Sequence, residues 1–215
     1  MNNKFLLFGI ATVIGVFVMH GCSEDYYFDE DFDSLAERRM TRSVTEPEDG
    51  SGTGEVEPIL IFPDRTQIEN NAYIASKMEE AWNQTKEYCT SSGHREIAFY
   101  IYCNPRTGEI IEDVKFVIGN LIPNNPGVRT CVDVGDRVDT PESMACGVFH
   151  THTSLCYYNE SCSRDVGPSI EDRNTFNAQI MPGLVYDYCS TIDNTTPIDA
   201  PAMVHYYGKR RREVN

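Results

Sequence analysis

An uncharged run, Cys146-Gly147-Val148-Phe149, ends in two histidines, His150 and His152, with Thr151 between them. On a strand, residues i and i+2 point to the same face. The spacing therefore predicts a strand over 146–152 that presents both imidazoles together while Thr151 faces away. After a loop comes Pro168-Ser169-Ile170-Glu171-Asp172. Three-residue spacing places Ser169 and Asp172 on one side of a helix start, and the helix is predicted over 169–181, with Pro182-Gly183 as its stop. A strand end facing a helix start is a place where polar groups converge.

The rest of the order follows from periodicity and turn chemistry. Residues 59–62 read as a strand or the domain's edge. A helix begins at Pro63-Asp64, where Asp64 and Gln67 are spaced as a capping pair. Ile68, Ala72, Ala75, Met78 and Trp82 continue it at helical spacing to about residue 87. Residues 96–103 are β-branched and aromatic, a strand. Asn104-Pro105-Arg106-Thr107-Gly108 is a turn, and 110–118 returns as the second strand of a hairpin. Strands are also predicted over 128–134, 184–188 and 202–207. Helix, hairpin, strands, helix and strands together imply one mixed α/β domain over residues 59–215.

The chain ahead of that domain is of another kind. Lys4 precedes a charge-free stretch of 14 residues, Phe5 to Val18, too short to span a bilayer comfortably. Residues 1–21 have the layout of a secretory signal peptide. Met19-His20-Gly21-Cys22 resembles a bacterial lipoprotein box, which implies a lipid on Cys22 and an anchor in the cell envelope, at the outer membrane or cell surface. Met19 and His20 stand where such boxes carry an aliphatic and a small residue. Residues 22–58 read as a disordered tether: from 23 to 58 there are 12 acidic residues against 3 arginines, too little apolar surface to fold. Residues 59–215 hold 21 acidic and 14 basic residues, a net of −7, which argues against nucleic acid as a partner. The run Lys209-Arg210-Arg211-Arg212 reads as a frayed, solvated tail. Seven cysteines follow Cys22. That number fits an oxidising compartment, and Cys156 with Cys162, in one loop, are candidates for a local bridge. No C-x-x-C pair exists to hold zinc through sulfur.

Two imidazoles, a carboxylate, a spare glutamate and a serine are the parts of a hydrolytic zinc site. His150, His152 and Asp172 are the candidate ligands. Glu96, at the start of a neighbouring strand, is the candidate proton carrier, and the Ser169 hydroxyl a donor to a developing oxyanion. Asp165 competes as third ligand; Glu109 and Glu87 compete for the base role. His94 belongs either to a surface turn or to the same site. Taken singly, each piece has a plainer reading. The two histidines are then polar strand residues, Glu96 is a strand-edge carboxylate, and Ser169-x-x-Asp172 is a helix capping box. A zinc deaminase is disfavoured, because His-x-Glu and Pro-Cys-x-x-Cys are absent.

Phe149-His150-Thr151-His152, Pro168-Ser169-Ile170-Glu171-Asp172 and an upstream strand glutamate resemble the signature of the JAMM (MPN-plus) zinc metallopeptidases. The resemblance covers roughly residues 64–207. It implies a curved sheet flanked by helices, zinc on His150, His152 and Asp172, Glu96 as general base, Ser169 assisting the oxyanion, and hydrolysis of peptide or isopeptide bonds in a peptide or protein substrate. Thr153 stands where the family has proline. The 16 residues between His152 and Ser169 exceed the family's short gap and read as an insertion, a candidate flap over the cleft. The alternative is a non-catalytic surface binding module built on the same fold.

Overall fold

The computed structural model describes residues 59–128, 130–208 and 210–211. The signal segment 1–21, Cys22 and the tether to residue 58 lie outside the described residues, as do Lys209 and Arg212. No helix among the described residues is long and apolar enough to cross a membrane.

Helix α1 (Arg65–Glu69) opens with the predicted capping box: the Asp64 carboxylate accepts from Gln67 N–H at 2.9 Å, and Gln67 Oε1 accepts from Asp64 N–H at 2.8 Å. A single helix is not continued from there. Asn71 caps a second helix, α2 (Ala72–Tyr88), its side chain accepting from Ile74 N–H at 2.9 Å. That cap draws the Asn71 backbone into an extended conformation and breaks the predicted helix in two.

The remaining elements are β1 (Ile97–Cys103), β2 (Val117–Ile118), β3 (Met144–Thr151), β4 (Ser163–Arg164), α3 (Ile170–Gln179), β5 (Gly183–Tyr188), β6 (Ile192–Asp193) and β7 (Ala202–Tyr207). The molecule is mixed α/β. Its main sheet has five strands in the order β2-β1-β3-β5-β7; β4 and β6 form a small second sheet. Only β3 and β5 run parallel, with His150 beside Val185; every other pair in the main sheet is antiparallel, with Ala98 beside His150 and Val185 beside His205. Parallel neighbours need a crossover, and the chain from His152 through α3 supplies it. This β–α–β step carries the end of β3 toward the start of α3.

Strand alternation separates two faces. Ile97, Phe99, Ile101, Phe149 and Leu184 face α1 and α2, where they pack with Ile68, Ile74, Met78 and Ala81. Phe149 stacks on Phe99 with ring centroids 4.6 Å apart. On the opposite face Tyr100, Val148 and Val185 pack under Phe176 of α3 and Met181.

Several expected elements are absent, each for a local reason. Residues 59–62 form no strand, although Phe62 is buried and Ile61 N–H donates to Pro105 O at 2.7 Å. The return strand over 110–118 shrinks to a Cys103–Ile110 bridge and the two residues of β2. Within it, Val114 N–H donates to Tyr73 Oη of α2 at 3.1 Å instead of to a neighbouring strand. Of the strand expected over 128–134, Val128 and residues 130–134 are irregular. Thr130 pairs with His94, and next to this segment Gly135 accepts from the Tyr100 hydroxyl. Arg211 is no frayed tail residue: it is buried, bridges to Asp139 at 2.9 Å, donates to Ala145 O at 2.8 Å and lies over the Phe62 ring. All seven described cysteines are free thiols, so the bridge expected between Cys156 and Cys162 is not formed. Cys162 instead packs against the cluster of Trp82, Leu155, Tyr188 and Ile192.

Candidate metal centre

His150 is the penultimate residue of β3, and His152 follows its last residue, still held to β5 through His152 N–H to Tyr186 O at 3.0 Å. Between them Thr151 turns to the other face, buried. Its hydroxyl lies 2.6 Å from that of Thr85 in α2 and accepts from Ile97 N–H at 3.0 Å. That anchor fixes the twist at the strand's end and so aims the two imidazoles.

Asp172 arrives from the first turn of α3. Ser169 is the N-cap: its hydroxyl accepts from Asp172 N–H at 3.1 Å, while the Asp172 carboxylate accepts from Ser169 N–H at 2.8 Å. One turn further on, Phe176 sits against Gly183, where any Cβ would overlap its ring. This close approach seats α3 on β5 and sets the reach of Asp172.

The outcome is a convergent trio. His150 Nε2 and His152 Nε2 are 3.2 Å apart, and each lies 3.3 Å from a different oxygen of Asp172. One donor atom from each residue lies within 4.8 Å of the other two, a grouping that can hold a metal ion. Asp165, Glu109 and Glu87 are not part of it. Asp165 accepts instead from the Thr191 hydroxyl at 3.1 Å, and Glu109 from Thr107 at 3.2 Å.

Glu96 immediately precedes β1. It shares a strand face with Ala98, the partner of His150, and is buried. Burial pushes its carboxyl above the usual range, an effect the neighbouring His152 and His150 partly offset. A carboxyl so placed can exchange a proton nearer neutrality than a free glutamate.

Two residues not foreseen from the sequence, Asp187 and Arg164, complete the surroundings. Asp187 of β5 is fully buried. It accepts from His152 Nδ1 at 2.9 Å, from both Arg164 terminal nitrogens at 2.7 Å, and from Gly167 N–H at 2.9 Å. A carboxylate only accepts, so Nδ1 carries the hydrogen and Nε2 is directed at the trio. The available signal was an acid in the apolar run Leu184-Val185-Tyr186-Asp187-Tyr188. His94 belongs to neither expected place. It is fully buried, bonded through Nδ1 to Asn124 at 2.8 Å and through Nε2 to Thr130 at 3.0 Å.

The electrostatics suit a cation. With the imidazoles neutral and the acids ionised, Glu96, Asp172 and Asp187 against Arg164 leave −2, which a divalent ion cancels. Without an ion, burial works to lower the His152 pKa, but Asp172 and Asp187 outweigh it and carry the ring up to about 9. Burial works to raise Asp172, yet the two imidazoles hold it well below the ordinary carboxylate range. A metal ion competes with that proton, since an imidazole ligand must be deprotonated. Two imidazoles and a carboxylate leave a fourth position open, as in hydrolytic zinc sites. No family model matches the chain, and comparison with curated proteins and with solved structures finds no match.

Proposed function

We propose that the chain is a zinc-dependent metallopeptidase of JAMM type that hydrolyses peptide or isopeptide bonds. The observation that carries the reading is the convergence of His150, His152 and Asp172 beside a buried Glu96 with a raised pKa. The five-strand sheet, with α2 on one face and α3 on the other, is compatible with the fold that the signature implies. A zinc ion held by the trio would supply Lewis acidity, making hydroxide available from water near neutral pH.

The chain's own residues supply the rest. Glu96 takes the proton from the attacking water and passes it to the departing amine. The Ser169 hydroxyl, at the mouth of the site, donates to the oxygen on which charge develops. This role is open to it because in the capping box its oxygen acts as acceptor, which leaves its hydrogen free. Asp187 keeps His152 in the ligating tautomer. The signal-like segment and Cys22 support placement at a bacterial envelope on a lipid anchor, with a peptide or protein as substrate and no nucleic acid.

The test is hydrolysis by zinc-loaded protein of a complex peptide mixture and of isopeptide-linked model peptides, with new amino termini read by mass spectrometry. New termini that vanish in Glu96→Gln, while zinc stays bound, support the reading. A zinc-loaded wild type that produces none in either pool leaves a binding module on the same site.

A further inference from the structure

The 153–168 insertion does not lie over the molecule as a free flap. Thr153, Ser154 and Leu155 are buried, Tyr158 stacks on His94 with ring centroids 5.6 Å apart, and β4 pairs with β6. A further attachment is Arg164, whose guanidinium takes both oxygens of Asp187 at 2.7 Å and donates to Thr153 O at 2.9 Å. This fork reaches the fully buried carboxylate that orients His152. Asp187 therefore joins the insertion on one side to a candidate metal ligand on the other.

The physical demand is plain. A buried carboxylate needs a cation and a full set of donors. His152, Gly167 and Tyr188 supply single hydrogen bonds, the last through its backbone N–H at 2.8 Å. Arg164 supplies the permanent positive charge and two parallel bonds that fix the plane of the carboxylate. Remove the guanidinium and Asp187 loses its counter-charge and two of its hydrogen bonds, is held only by His152, Gly167 and Tyr188, and fixes the His152 ring less firmly.

We propose that Arg164 is a positioning residue for the metal centre, acting through Asp187 on His152, so that the insertion is an integral part of the centre. The inference rests on the metallopeptidase reading for the identity of the metal and adds a dependence that the ligand set alone does not carry.

Zinc affinity of the full chain, measured by competition with a chromophoric chelator, tests it. Cobalt is then loaded in place of zinc and its visible spectrum recorded as a report on ligand geometry. Arg164→Ala should bind zinc several-fold more weakly, short of the roughly 10–100-fold seen when the direct outer partner of a ligating histidine is lost, and should alter the cobalt spectrum. Arg164→Lys, which keeps the charge without the fork, should fall between alanine and wild type. Tyr158→Ala loosens the insertion at its contact with His94 and should leave both the affinity and the spectrum near wild type. If Arg164→Ala does not fold, Arg164→Lys decides: weaker binding supports the inference and wild-type binding overturns it. A folded Arg164→Ala with wild-type affinity and spectrum would overturn it. So would a Tyr158→Ala loss as large as that of Arg164→Ala, because the effect would then belong to the insertion's packing. A wild type that takes up neither metal would instead defeat the metallopeptidase reading itself.

Discussion

Phe149 and His150 are adjacent in β3, yet they serve opposite faces of the same sheet. The Phe149 face is closed by α1 and α2 and holds apolar side chains. The His150 face, toward the β3 end and the start of α3, gathers two imidazoles, three carboxylates and a guanidinium. Thr151 ties the two together from the apolar side. The comparison teaches a division of labour: one face secures the backbone so that charge can be concentrated on the other. Such a concentration is costly in the absence of an ion.

Mutations on the two faces should separate stability from metal binding. Phe149→Ala should cost about 3–5 kcal/mol of stability, read from a urea midpoint, whereas the adjacent His150→Ala should cost no more than about 1–2 kcal/mol and abolish zinc retention. A His150→Ala loss equal to that of Phe149→Ala would erase the distinction. Gly183→Ala probes the contact between the two functions. Its new methyl must displace the Phe176 ring, costing roughly 1–3 kcal/mol and weakening zinc binding by moving α3. Unchanged zinc affinity with the stability loss would show that Asp172 does not depend on that seat. Ser169→Ala removes the helix cap at a cost of about 1 kcal/mol, and on the proposed mechanism it lowers turnover more than substrate binding.

The smallest effect concerns pH. Burial lowers the His94 pKa, against a raising contribution from its bond to Asn124. Asn124, Thr130 and Tyr158 surround the ring, and none of them is an acid that would stabilise its charge. The neutral ring belongs to the folded state. Its contribution is therefore complete above the unfolded value near 6.5 and is lost as pH falls through that value toward the lower folded one. His94→Gln should flatten the pH dependence of the urea midpoint just below pH 6.5. A slope identical to wild type would place the titration elsewhere.

Local rules reached far into this fold where the deciding contacts were themselves local. The Asp64–Gln67 box, the His150–His152 alternation and the Ser169–Asp172 helix start are all set within three residues, and each appears in the structure. Elements that failed depended on distant partners. Residues 110–118 lost a ladder bond to Tyr73, and Thr130, in the second expected strand, is bound through its side chain to His94. Asp187 was hidden for the same reason, since the meaning of one acid in an apolar strand rests on Arg164 and His152, 23 and 35 residues away. The Cys156–Cys162 expectation followed closeness in sequence, while in the fold Cys162 is drawn into an apolar cluster.

The proposed function stands or falls with a zinc ion on His150, His152 and Asp172. Zinc per chain in the purified protein, measured by elemental analysis beside Asp172→Ala, tests it most directly. Close to one zinc per chain is expected in the wild type and almost none in the variant, with the variant's melting still cooperative. A folded wild type that retains no zinc after zinc has been supplied would contradict it, leaving two strand histidines beside a helix cap.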